Sequence, residues 1–285
     1  ATQLNFNRFN LQVNALQSWV NDDVEKGARP GNKQRLSPSV MASWQTFRTP
    51  DFRFRAFYKS IFRLPSFNDL YFTQIGYRFL EPEISEQYDI GAVYSRMYTQ
   101  QRLTRLDIQV DAYYNQVKNK IIASPGKSVG IWSMQNMGLV DIRGLEANLK
   151  SSWKIADVNL NAGASYTYQR AQDITQKGSS NYGNQIPYIP LHSGSFLLGV
   201  DYKDWGANYS FIYAGERYDQ GAEIVYNYLQ PWYTHDIAFF WKNEIHGRRL
   251  KVSAEINNLL NQYYDVVTNF PMPGVNYRFT LAYQI

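Results

Sequence analysis

Val158-Asn159-Leu160-Asn161-Ala162-Gly163-Ala164-Ser165-Tyr166-Thr167-Tyr168-Gln169 alternates from end to end. One set reads Val158, Leu160, Ala162, Ala164, Tyr166 and Tyr168, and the other reads Asn159, Asn161, Gly163, Ser165, Thr167 and Gln169. A helix would scatter both sets around its circumference, whereas a strand sends successive side chains to opposite faces. The stretch is therefore a strand with one dry face and one wet face. Its dry face ends in tyrosines, whose rings are apolar and whose hydroxyls want water.

The same pattern recurs along the chain. Val275, Tyr277, Phe279, Leu281, Tyr283 and Ile285 alternate with Asn276, Arg278, Thr280, Ala282 and Gln284. Phe52, Phe54, Ala56 and Tyr58 alternate with Arg53, Arg55, Phe57 and Lys59. Leu106, Ile108, Val110 and Ala112 alternate with Arg105, Asp107, Gln109 and Asp111; Leu250, Val252, Ala254 and Ile256 alternate with Lys251, Ser253, Glu255 and Asn257. About twelve such strands of roughly ten residues can be placed. They lie near 4–20, 38–47, 51–62, 86–99, 102–122, 138–153, 156–170, 192–203, 205–217, 231–244, 248–261 and 274–285. Ile142 and Leu145 break parity in one of them, so a bulge is expected at Arg143-Gly144.

Composition narrows the class. The 285 residues carry a net charge of +5 and no Cys, which excludes disulfides, thiolate metal sites and a Cys nucleophile. Three His are few for a histidine-built metal site, and none is expected. The charges are mild and mixed, so no nucleic-acid stripe is implied. Mean hydropathy is −0.46, and no run approaches the ~20 apolar residues of a membrane-spanning helix. No basic segment followed by an apolar run stands at Ala1, so a signal peptide is expected to be absent or removed. Tyr (23) outnumbers Phe (16), beside 7 Trp. Such amphipathic rings favour places that are apolar at one end and wet at the other, as in the aromatic girdles of membrane barrels.

The connections alternate long and short. Long ones span 22–36, 63–85, 118–135, 171–191, 217–230 and 267–274; short ones span 48–51, 99–101, 154–157, 203–205 and 244–247. A soluble β-sandwich also alternates along its strands, but it has no reason to keep every long loop at one end. A transmembrane barrel does, with short periplasmic turns and longer extracellular loops. The fold class expected is all-β, an antiparallel transmembrane β-barrel with a hydrated interior.

Four stretches in order resemble TonB-dependent outer-membrane receptors. Tyr58 to Tyr71, with Phe62-Arg63-Leu64-Pro65 and Asp69-Leu70-Tyr71, is similar to that family's FRxPxxxELY stretch. Leu80-Glu81-Pro82-Glu83 followed by Ser85-Glu86-Gln87-Tyr88-Asp89-Ile90-Gly91 resembles LKPExSxxYExG, with Glu81 where Lys is usual. Asp141-Ile142-Arg143-Gly144-Leu145-Glu146-Ala147 resembles xIxGxE. Asn257-Asn258-Leu259-Leu260-Asn261-Gln262-Tyr263-Tyr264, then Pro273-Gly274-Val275-Asn276-Tyr277, resembles NLFNxxY and PGRxY; the usual closing aromatic is here Ile285. The resemblance implies a barrel of about 22 strands with a plugged lumen. This chain is then its C-terminal part, 1–285, without the plug. It also implies a location in the Gram-negative outer membrane, a TonB complex acting through the plug, and a scarce large nutrient as ligand, either cobalamin or a ferric siderophore. A surface lipoprotein is a further partner of this class. A cut barrel would expose two strand edges, so the isolated fragment is expected to oligomerise, swap strands or close into a smaller barrel.

Pro65, Pro82, Glu83, Gly91, Gly144 and Glu146 are read as structural positions of those motifs. Pro82 suits the start of a strand because it cannot donate to a ladder. Glu83 and Glu86 are expected to face the lumen or to be solvated loop charges, and Glu146 to line the lumen. Ligand capture is expected from aromatics and amides of the long loops: Tyr77, Trp132, Tyr182, Asn184, Gln185, Tyr188, Tyr218, Tyr226 and Tyr228, with Arg78 and Arg217 as cations. Membership of the outer girdle is the competing reading for each aromatic. Haem is disfavoured because no His lies inside a long loop; His192 and His235 sit near the loop ends of strands and His246 in a short turn. No catalytic residue stands out. A passive 12-stranded channel and an outer-membrane phospholipase are the alternatives. The phospholipase would need a serine beside His192 or His235, and Ser193 points away from its neighbour His192.

Overall fold

A computed structural model describes the backbone outside residues 22, 24–30, 50, 73–75, 126–131, 246–247 and 285, with side chains also set aside at 124, 125, 132, 245 and 284. Strands β1 (Thr2–Phe6), β2 (Phe9–Val20), β3 (Lys33–Gln45) and β4 (Phe52–Arg63) lead to the short helix α1 (Phe67–Tyr71). Then come β5 (Glu83–Met97), β6 (Leu103–Pro125), β7 (Trp132–Ile155), β8 (Val158–Asp173), β9 (His192–Tyr202) and β10 (Trp205–Ala214). The pairs β11 (Arg217–Tyr218) with β12 (Tyr228–Leu229), and β15 (Asp265–Val267) with β16 (Phe270–Pro271), are small hairpins inside loops. β13 (Trp232–Ile245), β14 (Arg248–Asn257) and β17 (Asn276–Gln284) complete a 13-stranded antiparallel sheet in which each strand pairs with its neighbours in sequence.

The register decides whether the alternation seen strand by strand forms one continuous face, since a slip of one residue would turn a strand's apolar set inward. It does form one. Leu4, Leu11, Ala42, Ala56, Ile90, Ala112, Leu145 and Tyr168 are successive cross-strand partners. Further along, Ala162, Leu198, Tyr209, Ile237, Ile256 and Tyr277 form a second such row. The opposite face carries Ser43, Arg55, Gly91, Asp111, Glu146, Thr167 and Ser193 in one row. From Val158 to Tyr168, about ten steps of ~3.4 Å at a tilt of ~40–45° rise roughly 25 Å, the height of a barrel's apolar band. Large apolar groups on the outer face, such as Ile90, Leu145, Phe239 and Phe279, stand exposed. That is what lipid contact requires.

Thirteen strands replace the expected twelve because the first stretch is a hairpin. Phe6 pairs with Phe9 across Asn7-Arg8, and Asn7 takes φ +49°, a left-handed conformation that asparagine tolerates. β1 and β17 end the sheet, with no ladder joining them among the described residues.

No bulge lies at Arg143-Gly144; pairing with β6 and β8 runs through both without a shift. The parity conflict resolves differently. Leu145 faces lipid, while Ile142 faces inward and is buried with Val117, Val140, Ala171 and Ile186. Gly144 is needed for another reason: a Cβ there would stand 2.4 Å from the Tyr113 ring and 2.7 Å from the Tyr168 carbonyl. The tyrosine of β6 lies across the bare backbone of β7. Glu86 is likewise relocated, since it pairs with Ser60 and Gln116 and shares the outer face with Tyr88 and Ile90, while Glu83 faces inward.

All long connections leave the same end of the sheet, and the described turns at the other end are short. At the long-loop end, 174–191 folds back over the interior, where Ile186 and Ile189 join the small inward core of β6, β7 and β8.

Candidate functional site

The mouth of the sheet is built by three loops that continue its hydrogen bonding. Beyond the start of β9, the edge of β8 would be left unpaired, and the loop 174–191 fills it. Ile186 N donates to the Ala171 carbonyl at 2.8 Å and Asp173 N to the Asn184 carbonyl at 3.0 Å. The buried Gln185 side chain accepts from Ala171 N and donates to the carbonyls of Gln169 and Ile189. An amide has donors and acceptors on one planar group, so it can substitute for a peptide unit of a missing strand.

That loop is then fastened to its neighbours. Asn184 donates to the Gly221 carbonyl at 2.9 Å, and Gln185 N donates to Glu223 at 2.6 Å. Tyr188 donates to Thr268, whose hydroxyl donates to Asp219 at 2.9 Å. Arg217 is the central fastener. Only 4% exposed, it donates to the carbonyls of Gln230 (3.3 Å), Asp265 (2.7 Å) and Val266 (3.4 Å). Burial pulls its guanidinium below the usual arginine range, opposed by Tyr188 and Asp265. The planar fork of five donors is what lets one side chain span two loops.

Asn258 starts the last loop and explains the asparagine-rich motif. Its φ of +51° stops β14. Its amide donates to the carbonyls of Gln262 and Pro273, its side-chain oxygen accepts from Gln262 N, and its own N–H donates to Asp236. Asn261 accepts from Val275 N at 2.9 Å, closing the far end of the loop. Asn258→Ala leaves the half-buried Gln262 N–H and the carbonyls of Gln262 and Pro273 without their partner and is expected to cost about 2 kcal/mol. The effect should appear as new protease cleavage within 258–275 of the folded full-length protein; an unchanged digestion pattern would refute it.

The loop 64–82 is organised by charges. Ser66 caps α1, accepting from Asp69 N while Ser66 N donates to Asp69. Arg63 pairs with both Asp69 (3.4 Å) and Glu83 (3.2 Å), and Glu83 also accepts from Ile121 N. The arginine of the first motif thus holds the helix against the glutamate of the second. Glu81 accepts from Asn119 at 2.7 Å, and Asn136 bonds to the Glu81 backbone at both ends of its amide.

Below the mouth, the inner wall carries the pair Arg55–Asp111 at 2.6 Å, with Gln109 donating to the second Asp111 oxygen at 2.8 Å. Gly91 sits between the two partners. One oxygen of inward Asp89 is buried without a hydrogen-bond partner.

The loop residues expected to take ligand fall into two groups. Arg217, Asn184, Gln185, Tyr188 and Tyr218 are consumed in holding the loops together, Tyr218 by its carbonyl to Tyr188 N and its ring against Tyr228. Tyr77, Arg78, Tyr182 and Tyr226 are presented to solvent, Tyr226 at 95% exposure on the apex of its loop and Tyr77 packed edge-on to Phe79. The Trp132 side chain and His246 lie outside the described residues. Pro65 directly precedes the helix cap, Pro82 directly precedes β5, and Glu146 lines the inner face opposite Asp111. Sequence reading missed Arg63, Asn136, Asn258 and Thr268. Asn258 stands within a recognisable motif, but its loop-closing role depends on partners up to 22 residues away. His192 and His235 each bond through Nδ1 to a tyrosine hydroxyl, Tyr166 and Tyr209, on the outer face. Neither takes the serine partner that a hydrolase triad needs.

Comparison with known proteins agrees with this architecture. A family model described as "TonB dependent receptor-like, beta-barrel" matches residues 1–259. The vitamin B12 transporter BtuB of Photobacterium profundum is 27% identical over 230 residues, covering 78% of this chain and 34% of that protein. The vitamin B12 transporter BtuB of Vibrio vulnificus is 33% identical over 85 residues, 30% of this chain and 13% of that protein. Among solved structures, BauA, the ferric preacinetobactin receptor from Acinetobacter baumannii, superposes with a TM-score of 0.70 at 14% identity, covering 97% of this chain and 40% of that one. The copper transporter OprC gives 0.67 at 17% identity, covering 98% and 45%. The chain thus spans about a third of the better-covered curated relative and less than half of each of these two solved proteins. With one lipid-facing apolar surface, one polar inner wall and every long loop at one mouth, the chain belongs to the family of TonB-dependent receptor β-barrels.

Proposed function

We propose that this chain is the C-terminal barrel wall of an outer-membrane receptor that captures a corrinoid such as cobalamin outside the cell and imports it with energy delivered through TonB. The carrying observation is the mouth itself. Three loops are welded into one platform by Arg217, by the Gln185 N–H on Glu223 and by Thr268, and that platform leaves Tyr182 and Tyr226 exposed. A rigid base with exposed aromatic rings suits a large flat ligand, because little ordering entropy remains to be lost on binding. The names of the curated relatives favour a corrinoid; the ferric preacinetobactin receptor supports a ferric siderophore as the second reading.

In this reading the plug occupies the lumen and meets the inner wall near Asp89 and Glu146, and TonB acts on the plug. The outer face meets outer-membrane lipid, and a surface lipoprotein is a further partner of the exposed loops. Neither nucleic acid nor a resident cofactor has a role. The test is binding by the full-length protein that contains this chain. Cyanocobalamin should bind with a Kd near 1 nM, about −12 kcal/mol. Nanomolar binding of a ferric siderophore instead selects the second reading. Binding of neither, with capture of an oligosaccharide, overturns both.

A further inference from the structure

The outer face carries a row that changes character partway round. Val40, Tyr58, Tyr88, Tyr114, Arg143 and Arg170 are successive partners across β3 to β8. The tyrosine rings lie side by side, Tyr58 and Tyr88 tilted at 5.0 Å and Tyr88 and Tyr114 stacked at 6.1 Å between centroids. Such a row marks the level where hydrocarbon gives way to headgroups. At that level the next two strands present guanidinium groups.

Two arginines directly opposed across a ladder repel, and such pairs destabilise a sheet. Arg143 is partly compensated: it reaches Asp141 at 2.9 Å and lies over the Tyr114 ring at 5.5 Å, with 69% of its side chain exposed. Arg170 is exposed and, among the described residues, has no ion pair or side-chain hydrogen bond. Glu86 and Lys118, on the same face further toward the loops, balance each other in sign. Immediately below the pair lie Ile90, Ala112, Leu145 and Tyr168, with Leu149 and Ile108 beneath them. The surface is therefore cationic at headgroup height and apolar under it.

We propose that Arg143 and Arg170 form a docking site for the phosphorylated headgroup of outer-leaflet lipopolysaccharide, whose acyl chains lie on Leu145, Leu149 and Ile108. The proposal rests on the outer-membrane reading above, with the long loops outside. A phosphate accepts the bidentate guanidinium fork, and an anion between the two arginines turns a repulsive pair into a bridged one. The apolar rows select a lipid over a free anion.

The test uses the full-length protein, purified in detergent and reconstituted in phosphatidylcholine nanodiscs with fluorescent diphosphoryl lipid A. Arg143→Gln and Arg170→Gln should each weaken lipid A binding at least about fivefold, and the double variant more. Arg96→Gln, on the outer face near the short-turn end, should bind as wild type. Nutrient binding by the double variant should be retained, which reports folding and separates this proposal from the ligand assignment. Protease cleavage of the 215–231 loop on intact cells checks the orientation independently. Wild-type lipid A binding by the double variant overturns the site. So does an equal loss in Arg96→Gln, or displacement of lipid A by an equal concentration of inorganic pyrophosphate.

Discussion

Gly91→Val in the full-length protein is expected to lower barrel stability by about 4 kcal/mol or more. A Cβ at this position would stand 1.9 Å from an Asp111 carboxylate oxygen and 3.1 Å from Arg55 Nε. Both are held on a rigid three-strand wall, and the Asp111 side chain is 5% exposed. The carboxylate must swing away, which breaks the 2.6 Å pair and leaves a buried charge without its partner. Overpacking alone costs about 1–3 kcal/mol, and breaking a buried ion pair about 3–5 kcal/mol. The measurement is the urea midpoint of the unfolding band shift, compared with wild type. Asp111→Ala in the same background removes the obstructing carboxylate, so the valine should then cost far less. Equal costs in the two backgrounds would show that Gly91 is not there for the carboxylate.

Arg217→Ala is expected to loosen the mouth rather than the barrel. It leaves the carbonyls of Gln230, Asp265 and Val266 without their donor, at a cost of about 3 kcal/mol, and unties 215–231 from 258–275. On the proposed function, affinity for cyanocobalamin should fall more than tenfold, since about 1.4 kcal/mol of lost preorganisation is already a factor of ten. Arg217→Lys should recover little, because a point charge cannot meet carbonyls on two loops at once. Limited proteolysis should cut both loops while the unfolding midpoint of the barrel stays near wild type. Tight nutrient binding by Arg217→Ala would remove the welded platform from the account of recognition.

The strands were legible because alternation is a local property. Each residue's choice of lipid or water is made by its own side chain, and the pattern repeats over about ten residues without help from distant partners. The long-loop end was legible for the same reason: connection length is read directly. Where reading stumbled, the cause was non-local. The hairpin at Asn7-Arg8 interrupts a stretch that alternates in composition on both sides of it. Arg143-Gly144 reads as a bulge only when Ile142 is assigned to the lipid face. In the fold Ile142 faces inward, beneath a loop that supplies Ile186 as its neighbour. Gly144 is explained only by a tyrosine on the adjacent strand.

The loop residues divide along the same line. Aromatic and amide-rich loops suggested ligand contacts at Arg217, Gln185 and Tyr188; in the fold the Arg217 and Tyr188 side chains bond to groups of another loop, and the Gln185 side chain bonds to the edge of β8 and to its own loop. A loop residue's hydrogen-bond partner is chosen by which other loop stands beside it, and that is set by strand order and tilt. Sequence by itself determined that this chain forms an antiparallel membrane wall with a dry outside and a wet inside, because hydration acts on each side chain separately. Only the tertiary structure decided which polar groups are spent holding that wall and its mouth together, because pairing energy depends on groups that the chain brings into contact from far apart.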